Sequence, residues 1–232
     1  MDCLVAQTFA AWEAIVVDDA STDDTAAIAR RYADADPRIQ LVGQARGGAS
    51  AARNRGMAHA RAAWLLFLDA DDWVAADFME KMLAAARRKP GAGAVYCAYN
   101  RVSPDGRRLA QDWYEDLAKA PFASFARGCP PAIHSVIARR DLVVEVGGFD
   151  PSLMTCEDWD IWQKIARTGA RFVELPETLA FYRMRPGSLS MQTAQMLKDG
   201  LTVSSRARGP DPRVPRPHPA FANGVPSGAT EG

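Results

Sequence analysis

Apolar and polar positions follow two alternating rhythms along this chain. Short unbroken apolar runs, such as Ala14-Ile-Val-Val, Ile39-Gln-Leu-Val, Trp64-Leu-Leu-Phe-Leu and Ala94-Val-Tyr-Cys-Ala, read as buried strands. Between them apolar residues recur every three or four positions, which is the helical period. Thr25, Ile28, Ala29 and Tyr32 form one such stripe, with Ser21 as the expected N-cap and Asp24 closing a capping box. A helix of small residues is predicted over about Ala49–Arg61, and another over Phe78–Arg88 with Met79, Met82, Leu83 and Ala86 on one face. Ile133–Ala138 reads as a strand, Asp141–Val146 as a short helix, and about Glu157–Thr168 as a longer one. Two short strands are predicted near Phe172 and Phe181, while Ser103–Pro131 is polar with weak periodicity and is expected to cover a cleft. Strands alternating with helices predict an α/β fold.

The pattern changes after residue 203. From Arg206 onward the chain holds six prolines and four glycines in 27 residues, with few apolar side chains. Such a segment buries too little surface to offset ordering entropy, so residues 204–232 are expected to be a disordered tail and residues 1–203 the folded domain.

Composition narrows the field only a little. The 232 residues are 48% hydrophobic and 24% charged, and 28 basic residues balance 28 acidic ones, so a nucleic-acid partner is not indicated. No apolar run approaches the roughly 20 residues that span a bilayer. The first residues lack the basic start and apolar stretch of a signal peptide. Cys3, Cys97, Cys129 and Cys156 form no C-x-x-C pair and are expected to be free thiols, consistent with a cytoplasmic location. His59, His134 and His218 show no ligand spacing.

Candidate chemistry is concentrated in four places. Trp64–Leu68 ends in Asp69, Asp71 and Asp72, three carboxylates within four residues. That much like charge suits a hard divalent ion such as Mg²⁺ or Mn²⁺ holding a phosphorylated ligand, or else a solvated helix start. Ile15-Val-Val runs into Asp18 and Asp19; a carboxylate there can accept the imide N–H of uracil, thymine or guanine. Gly47-Gly48 opens a small-residue helix carrying Arg53, which can reach phosphate or stack on a base. In Glu157-Asp158-Trp159-Asp160, Asp158 heads the apolar stripe of its helix, where it could serve as a general base.

Taken in order, these segments resemble the inverting family 2 glycosyltransferases of the GT-A fold. The likeness is carried by Ala6-Gln-Thr-Phe, Val17-Asp-Asp-Ala-Ser-Thr-Asp, Ala52-Arg-Asn-Arg-Gly, Phe67-Leu-Asp-Ala-Asp-Asp, Gly147-Gly-Phe-Asp, Glu157-Asp-Trp-Asp and Tyr182-Arg with Ser188 and Ser190. It implies a Rossmann-like, mixed, mostly parallel sheet flanked by helices and a metal-dependent transfer of sugar from a nucleotide-diphosphate sugar to an acceptor hydroxyl. It also implies roles. Asp158 would be the catalytic base. Asp19, Arg53, Asp69 and Arg183 would bind the nucleotide sugar. Asp71 and Asp72 would hold Mg²⁺ or Mn²⁺. The implied partners are the donor and a glycan, lipid-linked or small-molecule acceptor, with peripheral association at the inner membrane face left open. The family pattern begins with an apolar strand that would lie between Ile15–Asp18 and Leu65–Asp69, and that strand is missing here, so two strand edges are expected to face a gap. Two readings therefore stand beside the active transferase: an inactive fragment of the same fold, and a sugar-phosphate nucleotidyltransferase.

Overall fold

The computed structural model describes residues 1–112, 117–188 and 191–225. The expected α/β order holds. Strand β1 (Ala14–Asp18) leads through helix α2 (Thr25–Ala35) to β2 (Ile39–Gly43), and α3 (Gly48–His59) leads on to β3 (Trp64–Leu66). Ahead of β1 lies one short turn of helix, α1 (Asp2–Val5). After β4 (Trp73–Val74) come α4 (Phe78–Arg88), β5 (Ala92–Val102) and β6 (Arg108–Asp112). The chain then forms α5 (Pro121–Arg127), β7 (Val136–Arg139), α6 (Arg140–Glu145), α7 (Glu157–Arg167), β8 (Arg171–Arg183) and α8 (Thr193–Arg206).

β1 and β2 pair in parallel as a two-stranded sheet. The other six strands make a mixed sheet in the order β3-β7-β5-β8-β4, with β6 added along β5. β5 carries the strand alternation through the centre of the fold. Ala94 and Tyr96 face one core with Phe125, Phe149, Trp162 and Phe172. Val95 and Cys97 face the opposite core with Phe78, Met82 and Val173. Both faces are thus covered by helices, which is why these strands read as continuous apolar runs.

β1 and β3 do not pair with each other. Each keeps one open edge, and between them lies a cavity of about 590 Å³ lined by Ile15, Val17, Met57, Leu65 and Phe67. This is the gap anticipated from the sequence. At its far end the cavity reaches Arg53, Asp69 and Asp72.

Several local expectations are corrected. Helix α2 starts at Thr25, not after Ser21, because Ala20 takes a left-handed turn (φ 58°) and Asp23 accepts the Thr25 N–H instead. The two short strands near Phe172 and Phe181 are one strand of 13 residues, interrupted only by register shifts against β5. Ser103–Pro131 is not simply a cover: Phe122 and Phe125 of α5 are fully buried core residues. Residues 113–116 of that stretch lie outside the described residues.

The largest correction concerns the proline-rich segment. Its described part, residues 207–225, packs on α7 instead of remaining disordered. Ala207 and Val214 are buried. Arg167 donates to the carbonyls of Arg206, Gly209 and Phe221, and Arg213 pairs with buried Asp160 and with Asp211. Proline-rich backbone leaves carbonyls without helical or strand partners, and one buried guanidinium satisfies three of them. Residues 226–232 lie outside the described residues. Among the described residues no helix is long and apolar enough to cross a membrane.

One contact locks α3 to the approach to α7. Asn54 exchanges two hydrogen bonds of 2.8 Å with the backbone of Phe149. Gly148 makes room for it: at φ +67°, a Cβ there would stand 2.5 Å from Asn54 Oδ1. Gly148→Ala is therefore expected to destabilise the fold by more than the roughly 1 kcal/mol of an ordinary glycine-to-alanine strain, because it also breaks the Asn54 clamp. Urea denaturation checks this; an unchanged midpoint would contradict the clamp.

Candidate active site

Three segments meet at the carboxyl ends of β1 and β3, and Arg53 joins two of them. Its position in α3 points the guanidinium to Asp69 Oδ1 at 2.6 Å and to Glu157 Oε1 at 2.5 Å. Its side chain is only 12% exposed, so these are not loose surface pairs. Burial lowers the Arg53 pKa, but Asp69 and Glu157 outweigh it and hold the group above its usual value. The acidic turn after β3 and the start of α7 thereby meet on either side of Arg53.

Asp158 lies one residue beyond Glu157. Its Oδ1 accepts the N–H of Trp159 at 2.7 Å. Burial is the main cause raising its pKa to about 7; Glu157 and Asp69 add to this, while Arg53 opposes it. A carboxyl poised near neutrality beside Arg53 and Asp69 has the tuning a general base needs. The Cys129 thiol sits beside it, with its own pKa raised by burial and then by Asp158.

Asp19 opens the loop after β1. Oδ1 accepts from Gln44 Nε2 (2.8 Å) and Gly47 N (2.7 Å), and Oδ2 accepts from Gly48 N (2.8 Å). These donors, with Gln44 the strongest, hold its pKa below the usual carboxylate value. Asp19 therefore fixes the glycine loop that opens α3, which in turn aims Arg53.

The acidic turn itself splits into outward and inward carboxylates. Asp69 and Asp71 are partly exposed, at 40% and 28% of their side chains. Asp72, expected beside Asp71 as a metal ligand, is instead turned inward. Oδ1 accepts the Arg183 backbone N–H at 2.8 Å, and Oδ2 lies 3.1 Å from His134 Nδ1, where both side chains are fully buried. Burial pushes Asp72 up to about 7 and His134 down to about 4. The pair ties the turn to β8 and to the residues before β7.

Arg183, expected over a diphosphate, also faces the turn. It donates from Nε to the Asp71 carbonyl at 2.9 Å, and its guanidinium sits 4.7 Å from the Trp73 ring centroid. Arg185 is the more exposed cation, 54% exposed, with Nη2 2.5 Å from Asp71 Oδ2. Ser188 is within the described residues and Ser190 is outside them.

The structure thus brings Arg53, Asp69 and Asp158 together, with Asp71 beside Asp69 and Asp19 behind Arg53. Sequence reasoning gave no role to Glu157, Arg185 or His134. Glu157 lies inside a motif already singled out, and Arg185 lies two positions beyond another. His134 gave no sequence signal, being one of two polar residues, with Ser135, in an apolar run.

A mixed sheet with this order, and an acidic turn opposite an acidic helix start, is the GT-A architecture of glycosyltransferases. Solved structures agree. The mannosyltransferase PcManGT from Pyrobaculum calidifontis, in complex with GDP-Man and Mn²⁺, superposes with TM-score 0.69 at 23% identity, covering 91% of this chain and 61% of that one. TarS (residues 1–349) of S. aureus in complex with UDP gives 0.67 at 20% identity, covering 88% and 59%. The chain belongs to glycosyl transferase family 2, whose model matches residues 1–146. Among curated relatives, the succinoglycan biosynthesis protein ExoO of Rhizobium meliloti (strain 1021) is 31% identical over 208 residues, and the uncharacterized glycosyltransferase EpsJ of Bacillus subtilis (strain 168) is 29% identical over 199. Both alignments cover 82% of this chain but only 57% and 58% of the relatives, so the chain spans a little over half their length.

Proposed function

We propose that this glycosyltransferase moves a sugar from a UDP-, dTDP- or GDP-sugar to an acceptor hydroxyl, with inversion at the anomeric carbon. The observation that carries the proposal is the Arg53 bridge, which sets Asp69 and the Glu157–Asp158 helix start across one crevice. In this reading Asp158 accepts the acceptor's proton as the oxygen attacks, so a single protein carboxylate serves the displacement. Asp69 faces the ribose. Asp19, whose oxygens retain further lone pairs, accepts an imide N–H of the base. Arg185, more exposed than Arg183, swings from Asp71 to the diphosphate.

Mg²⁺ and Mn²⁺ take one or two carboxylates together with substrate phosphates and water. Among the described residues no cluster of three His, Cys, Asp or Glu forms a complete cage. The outward Asp71 fits the sparser ligand set, and the inward Asp72 does not. A divalent cation held by Asp71 would supply charge neutralisation at the leaving diphosphate. The acceptor is a glycan, lipid-linked or small-molecule hydroxyl. Leu197 and Leu201, one turn apart on α8 and 63% and 64% exposed, favour an acceptor presented at a membrane surface.

A second reading has its own support. The open edges of β1 and β3, and the cavity between them, favour a chain that by itself holds the donor too loosely to turn over. Calorimetric titration with UDP or GDP in the presence of Mn²⁺, paired with a transfer assay, separates the two. Metal-dependent binding with turnover supports the transferase. Absence of both supports the silent fragment.

A further inference from the structure

The stretch that follows Arg183 does more than supply a cation. It ends in α8, and α8 grips the residues that introduce the Glu157–Asp158 turn. Asp199, only 4% exposed, takes four hydrogen bonds on one oxygen. Oδ2 accepts from Met154 N (3.1 Å), Thr155 N (2.9 Å), Thr155 Oγ1 (3.0 Å) and Gln195 Nε2 (2.9 Å). Burial raises its pKa, but these donors outweigh burial and hold it below the usual carboxylate value.

The next residue after Thr155 is strained. Cys156 adopts the left-handed region (φ 58°) as the N-cap of α7, a conformation that costs a non-glycine residue on the order of 1 kcal/mol or more. Such a turn persists only when its surroundings over-determine it. α8 provides those surroundings. Gly200 lets α8 approach so closely that a Cβ would stand 3.3 Å from the Trp159 ring and 3.9 Å from Cys156 Sγ. Val203 packs fully buried with Leu153 and Cys156. The strained turn then directs Glu157 to Arg53 and leaves Asp158 buried within the electrostatic reach of Arg53 and Asp69.

We propose that Asp199 is a positioning residue for the catalytic carboxylate: it holds Met154 and Thr155 so that the Cys156 turn presents Asp158 in register with the acidic turn. The same stretch of chain carries Arg185, which meets Asp71 at 2.5 Å. Arg185 and Asp199 therefore fasten the acidic turn and the start of α7 respectively. This inference rests on the transferase reading above for its catalytic consequence, but its structural part stands without it.

The test compares Asp199→Ala, Asp199→Asn and Thr155→Val in the full chain. With transfer as the readout, Asp199→Ala is expected to lower kcat about a hundredfold while the donor KM changes less than about threefold, because misplacement acts on the reacting atoms and not on donor contacts. Asp199→Asn keeps an acceptor oxygen at the same place and is expected to recover about tenfold of that loss. Thr155→Val removes one of the four donors and should fall between the two. Hydrogen exchange gives an arm independent of activity. The Met154 and Thr155 amides should lose protection in Asp199→Ala by at least about tenfold, with β5 amides unchanged. An Asp199→Ala protein with wild-type kcat, or with unchanged protection at Met154 and Thr155, would overturn the inference. So would a uniform drop in folded protein with unchanged turnover per folded molecule. A wild-type chain with no transfer at all sinks the transferase reading instead, and the exchange arm then decides this one.

Discussion

Replacing Asp158 with Asn is expected to reduce transfer by about 10²- to 10⁴-fold, the range for losing a general base, with little change in donor affinity. The charge at this position sets the pH dependence as well. With its pKa raised to about 7, chiefly by burial, the Asp158 carboxyl gives up its proton across the neutral range, and the proposed base gains its active form as the pH rises. The wild-type kcat should therefore rise with pH through about 7 and then level. The Asn variant should lose that ascending limb along with most of its rate. A pH–rate profile on both proteins checks the pair of expectations. An Asn variant with full activity, or a wild-type profile flat from pH 5 to 8, would remove Asp158 from the reaction.

Arg53→Met is the second large effect, because Arg53 pairs with both the acidic turn and the start of α7. Its loss leaves Asp69, Glu157 and Asp158 facing one another without the cation that opposes their repulsion. Breaking a buried ion pair costs about 3–5 kcal/mol; about 2–4 is expected here, since Asp69 remains 40% exposed and partly screened. The sign of the pH effect follows from the same contacts. Arg53 lowers the Asp158 pKa, so removing it should move the ascending limb of any residual activity to higher pH. Stability should suffer less at pH 5 than at pH 8, because Asp158 is protonated at the lower pH and the repulsion shrinks. Urea denaturation at both pH values gives the answer. A loss that grew toward low pH would contradict the arrangement.

How far the sequence revealed these features depended on range. Helix α4 matched its predicted bounds because Met79, Met82 and Leu83 carry a clear helical period. The β1 and β3 carboxylates were legible because apolar runs end sharply in Asp18-Asp19 and Asp69. The inward turn of Asp72 was not legible: adjacent carboxylates look alike until folding presents one of them to His134, 62 positions away. Arg183 and Arg185 differ by two positions on an extended chain, and the contact with Trp73 decided which one stayed beneath the turn. The proline-rich segment misled for a related reason. Its order comes from Arg167 and Asp160 on α7, so composition alone could not register it. The Asp199 clamp likewise joins residues about 44 apart that share no periodicity.

A structure of the chain with a nucleotide sugar and Mn²⁺ tests the central claim most directly. The account predicts the diphosphate beside Asp71 and Arg185, and the anomeric carbon facing the Asp158 carboxylate across the space that Arg53 now bridges. A donor seated with its diphosphate away from Asp71, or with its anomeric carbon out of reach of Asp158, would contradict it.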